Sequence, residues 1–314
     1  MTSLVRYFPD DPRPAEWRSP VVAVGNFDGV HRGHAKILER VCRRAAERHV
    51  SPLVLTFDPH PPRVVRPDKA PPLLMTPAQK YEALGRLGVH GVGVVRFSPE
   101  MSQWDPEHFV QAVLVDWLRA AEVWVGGNFL FGRERSGNFT LLRTLGVQYS
   151  FRAEKIDPVR YRDFVVSSTR VRRLVTEGRV DEASALLGHH YALDGHIVRG
   201  DGRGRLLGFP TANLATTNEL LPPNGVYVTM LRIDGMARPA ITNIGVRPTF
   251  GGGHVPVIET HVFDEGRDLY DRAVRLWFVQ RLRDERVFDG VEALTRQIEA
   301  DCAEARAIFR RISL

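Results

Sequence analysis

Two histidines three positions apart, His31 and His34, are the residues whose type and spacing point most directly to chemistry. A short apolar run at 21–24 and a turn rich in Gly, Asn and Asp precede them. After them, apolar residues recur with the spacing of a helix. Side chains at positions i and i+3 share one face of a helix and tilt toward its N-terminus. Unpaired N–H groups and the positive end of the helix dipole lie there, so this stretch predicts a phosphate site.

The pattern His-x-Gly-His at 31–34 is the signature of the nucleotidylyltransferase superfamily, in the strand-to-helix context that it requires. In that interpretation the two histidines bind ATP phosphates and stabilise charge on the α-phosphate and the leaving pyrophosphate. The alternative is that both rings only satisfy local hydrogen bonds at a helix start. The residues assigned to nucleotide binding around them are Gly25, Asn26, Phe27, Asp28, Gly29 and Gly33.

A second group of anion-binding residues is expected at 167–172, SSTRVR. Ser167, Ser168 and Thr169 offer hydroxyls and helix-start N–H groups, and two arginines add fixed positive charge. Arg170 and Arg172 therefore predict a second phosphate clamp that faces the histidine pair. A simple helix N-cap is the alternative, and the two interpretations are compatible.

A glycine-rich loop in the second half of the chain is a further candidate phosphate site. Its glycines allow close approach to phosphate groups, although a plain turn between two strands is the alternative. The loop contains Gly200, Gly202, Arg203, Gly204, Arg205, Gly208 and Pro210. Thr211 and Asn213 follow in an extended segment, where residues two apart face the same side, and their oxygens suit Mg²⁺.

Length and composition indicate a globular protein of two domains. At 314 residues, 43% of them hydrophobic, the chain can bury two ordinary cores. The net charge of +6 is spread along the chain, so nucleic acid is not an expected partner. No apolar run of about 18 residues and no apolar signal region occur, which predicts a cytoplasmic protein without a membrane partner. Cys42 and Cys302 match no paired or metal-binding spacing and are expected to be reduced.

Residues 20–187 alternate between strand and helix patterns, which is typical of a mostly parallel sheet with helices on both faces. Expected strands lie at 21–25, 53–57, 91–97 and 122–126, and expected helices at 34–49, 77–87, 105–120 and 137–145. Ligands of such sheets bind beyond the carboxyl ends of the strands, where the histidine pair falls. The proline-rich stretch 58–75 is expected to be an irregular functional or mobile loop, with a merely solvated excursion as the alternative.

The pattern changes after two short helices expected at 168–176 and 180–187. The following strands have no helices between them, as in a small antiparallel barrel, and a helix at 289–310 ends the pattern. These strands are expected at 191–198, 226–233, 237–244, 256–263 and 273–279. We therefore place the two domains at 1–187 and 188–314.

Longer motifs occur in order along both halves. The first half contains GNFDGVHRGH at 25–34, TFDPHP at 56–61, GGNFLFGRERSG at 126–137 and SSTRVR at 167–172. The second half contains GRLLGFPTAN at 204–213, NGVYV at 224–228, NIGVRPTF at 243–250 and IETHVFD at 258–264. Together these motifs resemble the prokaryotic bifunctional riboflavin kinase/FAD synthetase family.

The resemblance implies a Rossmann-like adenylyltransferase domain followed by a riboflavin kinase barrel. The barrel would phosphorylate riboflavin with ATP, using Glu259 as the base for the 5′-hydroxyl and Mg²⁺ at Thr211 and Asn213. The first domain would adenylylate FMN to FAD with the histidine pair and Arg170, and Asn128, where many relatives carry Asp, would lie against the flavin. ATP, riboflavin, FMN and FAD are the implied small-molecule ligands, and self-association is left open.

Two other functions remain as alternatives. One is a nucleotidylyltransferase that acts on another phosphorylated acceptor, with the barrel as a regulatory domain. The other is a basic barrel that binds RNA, for which clustered aromatic residues on the strands are expected. The barrel strands offer few aromatic residues beyond Tyr227 and Trp277, which disfavours the second alternative.

Overall fold

The computed structural model describes residues 4–200, 202, 204, 207–248, 254–263 and 269–312. The chain divides into two compact units. The first unit holds Met1–Pro72 and Pro77–Ser167, and the second holds Leu73–Thr76 and Ser168–Leu314. The division of function at 1–187 and 188–314 stays a prediction.

A parallel sheet forms the centre of the first unit. Its strands are β1 (Leu4–Phe8), β2 (Val21–Val24), β3 (Pro52–Asp58), β4 (Gly91–Arg96), β5 (Glu122–Gly126) and β6 (Arg152–Ile156). In the described part of the chain six strands pair in the order β1-β4-β3-β2-β5-β6, all of them parallel. The predicted parallel sheet is confirmed. β1 and β6 were missed because these edge strands are only partly buried and lack the continuous apolar run of β2.

Helices connect these strands and cover the sheet. They are α1 (Arg32–Arg48), α2 (Pro61–Val65), α3 (Pro77–Arg86), α4 (Pro106–Phe109) and α5 (Phe139–Gln148). Short 3₁₀ turns lie at Pro67–Lys69, Met101–Gln103 and Arg133–Arg135, and a small hairpin pairs β7 (Arg160–Tyr161) with β8 (Phe164–Val165).

Two expectations for this unit need correction. The stretch 58–75 is not wholly irregular, because Pro61 lies at the first position of α2, where a proline suits a helix start. The helix expected at 105–120 is α-helical only over α4 and continues as a π-helix over Val110–Trp117. Apolar periodicity alone does not distinguish these two helix types.

The strand order reverses at β2. The chain leaves β2 through α1 to β3 on one side, and β5 pairs with β2 on the other side. In open α/β sheets ligands bind at such a reversal, beyond the carboxyl ends of the strands. The segments at these ends are the turn 25–30 after β2 and the loop that follows β5.

An antiparallel barrel dominates the second unit. Two helices precede it, α6 (Ser168–Thr176) and α7 (Val180–Leu187), both at the predicted positions. The strands and the final helix are β9 (Tyr191–Val198), β10 (Ala212–Thr216), β11 (Gly225–Ile233), β12 (Met236–Pro248), β13 (His254–Val262), β14 (Ala273–Arg283) and α8 (Val291–Arg311). The described strands close in the order β10-β13-β12-β11-β14-β9, which confirms the predicted barrel. β10 was expected only as an extended segment.

The barrel has a filled interior and a covered outer face. Thr229, Thr242 and Thr260 are buried, and their hydroxyls form a row with oxygen separations of 2.8 and 2.9 Å. Residues on either side of Thr242 point outward, and Ile241 packs there against α8 in a cluster with Cys302. Both cysteines are free, as predicted. Among the described residues no helix is long and apolar enough to span a membrane.

Candidate active sites

His31 caps the N-terminus of α1. Its Nδ1 accepts a hydrogen bond from the backbone N–H of His34 at 3.3 Å. The two imidazole rings stack with centroids 3.7 Å apart and an interplanar angle of 10°. A Cβ at Gly33 would lie 3.1 Å from two atoms of the His31 ring, so glycine leaves room for His31 over the helix start. His31 therefore makes the local hydrogen bond of the alternative explanation, and its binding of phosphate stays a prediction.

Local hydrogen bonding does not account for His34. Its Nδ1 is buried, and no partner for this atom occurs among the described residues. Burial lowers the pKa of the His34 imidazole well below 6.5, and the nearby charges of His31 and Lys80 lower this pKa further. The ring is therefore neutral at pH 7. An unsatisfied buried polar atom costs roughly 1–3 kcal/mol, and a ligand with hydrogen-bonding oxygens, such as a phosphate, removes that cost.

The turn between β2 and α1 has a strained backbone. Phe27 and the β-branched Val30 have φ angles of 51° and 37°, in the left-handed region that side chains disfavour. Such residues cost about 1–3 kcal/mol each and concentrate at functional sites. The predicted nucleotide-binding residues Gly25, Asn26, Phe27, Asp28 and Gly29 all lie in this turn, directly before the capped helix.

Lys80 on α3 is a site residue that the motif analysis missed. Its Nζ donates a hydrogen bond to Oγ1 of Thr56 at 3.4 Å, and that hydroxyl donates to the carbonyl oxygen of Asn26 at 3.2 Å. The lysine thus reaches the turn after β2 from a neighbouring helix. A signal was present in the sequence, because Lys80 lies one helical turn before the buried Leu84, on the apolar side of α3.

Asn128 lies in the loop after β5, at the strand-end edge expected for a ligand. The residue is exposed, and the following Phe129 donates its N–H to the carbonyl of Gly126 at 3.0 Å. The ring of Phe129 stacks on Phe131 with centroids 5.4 Å apart. This loop therefore presents an amide next to an aromatic pair, and the expected flavin contact of Asn128 stays a prediction.

The SSTRVR motif spans the division between the two units. Ser167 ends the first unit, and α6 begins at Ser168 with Thr169 in its first turn. Arg170 and Arg172 are both partly buried on α6. The helix start agrees with the N-cap interpretation of the motif. The role of these residues as a clamp on the same phosphates as the histidine pair stays a prediction.

Strand register gathers the candidate kinase residues on one face of the barrel. Asn213 on β10 lies directly opposite Glu259 on β13, and Glu259 lies directly opposite Asn243 on β12. Side chains directly opposite each other in an antiparallel pair point to the same face and lie about 5 Å apart at Cβ. Because Thr260 points into the barrel, Glu259 points outward. The predicted base and a predicted metal ligand are therefore neighbours.

The glycine-rich loop folds closely around Thr211. The carbonyl of Gly204 accepts hydrogen bonds from the N–H groups of Leu207 at 3.1 Å and Phe209 at 2.8 Å. A Cβ at Gly204 would overlap the carbonyl oxygen of Phe209 and lie 3.1 Å from Oγ1 of Thr211, so this close approach requires glycine. The carbonyl of Pro210 contacts a ring nitrogen of His261 at 2.9 Å, and Gly208 has a φ of 84°. The predicted site residue Arg205 lies outside the described residues.

A cavity of about 450 Å³ lies on this outer face of the barrel. Thr211, Asn243 and Glu259 line one side of it, and Leu294 and Ile298 of α8 line another. Its walls are mostly apolar, with polar and charged side chains among them, as is typical of sites that bind small molecules. The cavity is thus bounded by the barrel wall and the final helix, and motif analysis alone did not predict its place.

A buried ion pair also lines the cavity. Nε of Arg283 on β14 and Oδ1 of Asp301 on α8 are 3.0 Å apart, and Nη2 lies 2.6 Å from Oδ2. Both side chains are nearly buried, with exposed fractions of 13% and 6%. Gln297 donates a further hydrogen bond to Asp301 at 2.8 Å. The pair ties α8 to the barrel beside the cavity.

Known proteins match most of the length of this chain. A family model described as FAD synthetase matches residues 13–170, and one described as riboflavin kinase matches residues 187–309. A bifunctional riboflavin kinase/FMN adenylyltransferase of Pseudomonas fluorescens is 39% identical over 293 residues, covering 93% of this chain and 94% of that protein. The protein of that name from Escherichia coli K12 is 35% identical, covering 92% of each chain. The chain belongs to the bifunctional riboflavin kinase/FMN adenylyltransferase family.

A solved structure also resembles the chain over nearly its full length. It is the crystal structure of a protein from Streptococcus pneumoniae named as a macrolide-efflux protein, and it is 27% identical with a TM-score of 0.87. The likeness covers 98% of this chain and 99% of that one. Both family models follow the order of the two units, and the riboflavin kinase match begins at the end of α7.

Proposed function

We propose that this chain makes FAD from riboflavin in two steps. The C-terminal barrel transfers the γ-phosphate of ATP to riboflavin and yields FMN and ADP. The N-terminal domain transfers AMP from a second ATP to FMN and yields FAD and pyrophosphate. The observation that carries the proposal is the register that sets Glu259, which lines the cavity, opposite Asn213.

In the first step Glu259 acts as the base. Its carboxylate accepts the proton of the riboflavin 5′-hydroxyl as that oxygen bonds to the γ-phosphorus and the bond to ADP breaks. Thr211 and Asn213 supply neutral oxygen ligands close to this carboxylate, and such a set suits a hard cation that also binds nucleotide phosphates. Mg²⁺ held there would neutralise charge on the transferred phosphoryl group.

The second step needs alignment and charge neutralisation without a base. The FMN phosphate is already ionised, and one of its oxygens bonds to the α-phosphorus of ATP as pyrophosphate leaves. His31, His34 and the N-terminus of α1 bind the phosphates of ATP, while Arg170 and Arg172 supply fixed positive charge. The buried Nδ1 of His34 supports this assignment, because it has no hydrogen-bond partner among the described residues.

Small molecules are the partners that this function requires. RNA binding is disfavoured because Tyr227, one of the few aromatic residues on the barrel strands, is buried and donates its hydroxyl to the carbonyl of Pro223. The absence of nucleic-acid and membrane partners, the cytoplasmic location and the oligomeric state stay predictions.

One assay with two variants tests the proposed function. The protein is incubated with riboflavin, ATP and Mg²⁺, and FMN and FAD are separated by chromatography. We expect Glu259→Gln to abolish FMN formation and to leave FAD formation from supplied FMN. The double variant His31→Ala, His34→Ala should do the reverse. Glu304→Gln, the same change at an exposed site on α8, is the matched control. Loss of both activities in both folded variants would refute the division of labour.

A further inference from the structure

Lys80 is linked through Thr56 to the turn that precedes the histidine pair, and it has no role in the mechanism above. Its ammonium group has three N–H bonds and makes one hydrogen bond to a described residue, the 3.4 Å contact with Thr56. Its side chain is partly buried, and its charge is close enough to His34 to lower the pKa of that imidazole. The ammonium group of Lys80 therefore has N–H donors available for a ligand.

Two acidic groups act on Lys80 as well. The carboxylates of Asp28 in the turn and Asp58 at the end of β3 act electrostatically on it, and Tyr81 is its neighbour on α3 with the ring centroid 5.9 Å from Nζ. Burial lowers the pKa of the Lys80 ammonium below 10.5, and the two carboxylates partly counter this effect. An anionic ligand would favour the charged form of the lysine and so offset the effect of burial.

We propose that Lys80 is a catalytic residue of FMN adenylylation, whose Nζ donates hydrogen bonds to a phosphate oxygen of the ATP held by His34. The proposal rests on the proposed function of the first domain. It follows from two observations: Nζ bonds the Thr56 hydroxyl that in turn donates to Asn26 in the turn after β2, and the helix that this turn precedes carries the buried His34 Nδ1, which has no described partner.

The role assigned to Lys80 is electrostatic. As the α-phosphorus to pyrophosphate bond breaks, negative charge grows on the leaving group, and a fixed ammonium in a partly desolvated site stabilises that charge more than water does. Lys80 keeps its proton throughout and forms no covalent bond. His34 is neutral in the free protein, so Lys80 supplies the positive charge that this imidazole lacks.

The test compares Lys80→Met and Lys80→Arg with the wild type. Steady-state rates of FAD formation are measured with supplied FMN and varied ATP, and FMN formation from riboflavin is measured in the same preparations. Lys36→Met removes the same charge from an exposed position on α1 and is the matched control. We expect Lys80→Met to lower kcat/KM for ATP in FAD formation on the order of 100-fold. Lys80→Met should leave FMN formation unchanged, and Lys36→Met should leave both activities unchanged.

A structural role for Lys80 makes different predictions. If the lysine only tethers the turn through Thr56, then Thr56→Val should lose as much FAD formation as Lys80→Met, and the double variant should lose no more. We expect instead that Thr56→Val retains most activity. The pH profile gives a second readout: wild-type kcat/KM should fall as alkaline pH deprotonates Lys80, whereas Lys80→Arg should keep its rate to higher pH.

The outcomes separate this proposal from the proposed function. If the wild type makes no FAD from FMN and ATP, the function assigned to the first domain is wrong. If the wild type makes FAD and Lys80→Met stays within about 3-fold of it, only the role of Lys80 is wrong. Equal, non-additive losses for Thr56→Val and Lys80→Met would also overturn that role.

Discussion

Asn213 and Glu259 lie directly opposite each other in the barrel, on the paired strands β10 and β13. One residue belongs to the PTAN motif and the other to the IETH motif, which are far apart in the sequence. Their register places an amide and a carboxylate on one outward face, with Asn243 as the next neighbour on β12. Substitution of Asn213 or of Glu259 alone therefore tests the effect of each side chain on phosphoryl transfer.

Asn213→Ala should raise the Mg²⁺ requirement of FMN formation. The substitution removes one oxygen ligand and leaves the opposite carboxylate of Glu259 in place. We expect the half-saturating Mg²⁺ concentration to rise by at least about 10-fold, since losing even an outer-shell partner has an effect of that size. A titration of FMN formation with Mg²⁺ measures this shift. FAD formation from supplied FMN is the internal control, and an unaltered Mg²⁺ profile would contradict the assignment.

His34 should titrate well below pH 6.5 in the free protein and at higher pH with ATP. Burial lowers its pKa in the folded state, so the folded protein binds fewer protons than the unfolded one below pH 6.5. This contribution to stability is present above pH 6.5 and is lost as pH falls through the folded pKa. Phosphate oxygens favour the imidazolium and should raise the pKa.

An NMR titration of the imidazole carbons checks this prediction, with the resonance assigned by its loss in His34→Gln. The same titration is repeated with ATP present. A His34 that already titrates at or above pH 6.5 without ligand would show that its buried nitrogen has a partner.

Gly33→Ala should lower FAD formation without lowering stability. Alanine favours a helix over glycine by about 1 kcal/mol, but its Cβ would lie 3.1 Å from the His31 ring. The ring must move by a few tenths of an ångström, and misplacement at a reacting site is costly, so we expect a loss of about 10-fold. Rates of FAD formation and thermal unfolding curves test this. A fall in melting temperature that parallels the fall in rate would indicate a folding defect instead.

Asp301→Asn should destabilise the barrel because it leaves the buried Arg283 without its counter-charge. Breaking a buried ion pair costs on the order of 3 kcal/mol, which corresponds to several degrees of melting temperature. Asp234→Asn is the matched control, because its ion pair with Arg272 is about half exposed, at 51% and 56%. Surface pairs contribute about 0–1 kcal/mol, so the control should change little. Differential scanning calorimetry of both variants measures the difference, and equal melting temperatures would contradict the argument.

The amino-acid sequence was sufficient for features that depend on local order. The strand, turn and helix start around His31 and His34 follow from an apolar run, turn residues and helical spacing, and the structure contains each of them. The bounds of β5, α6, α7 and β9 were likewise predicted, because each has a clear period or a clear end signal. The edge strands β1 and β6 were missed because each is only partly buried, so its sequence has no continuous apolar run.

Tertiary structure decided which distant residues meet. Motif order predicted Asn213 and Glu259 as site residues, but only strand register makes them direct neighbours, with Glu259 lining the cavity outside the barrel. The hydrogen bond of Lys80 to Thr56 joins α3 to β3, and helical spacing alone does not predict which residue of another element Lys80 contacts. Spacing along the chain determines what lies on one helix face or strand face, whereas register and packing determine which faces touch. The sequence therefore specified the chemistry of each site, and the fold specified its neighbours.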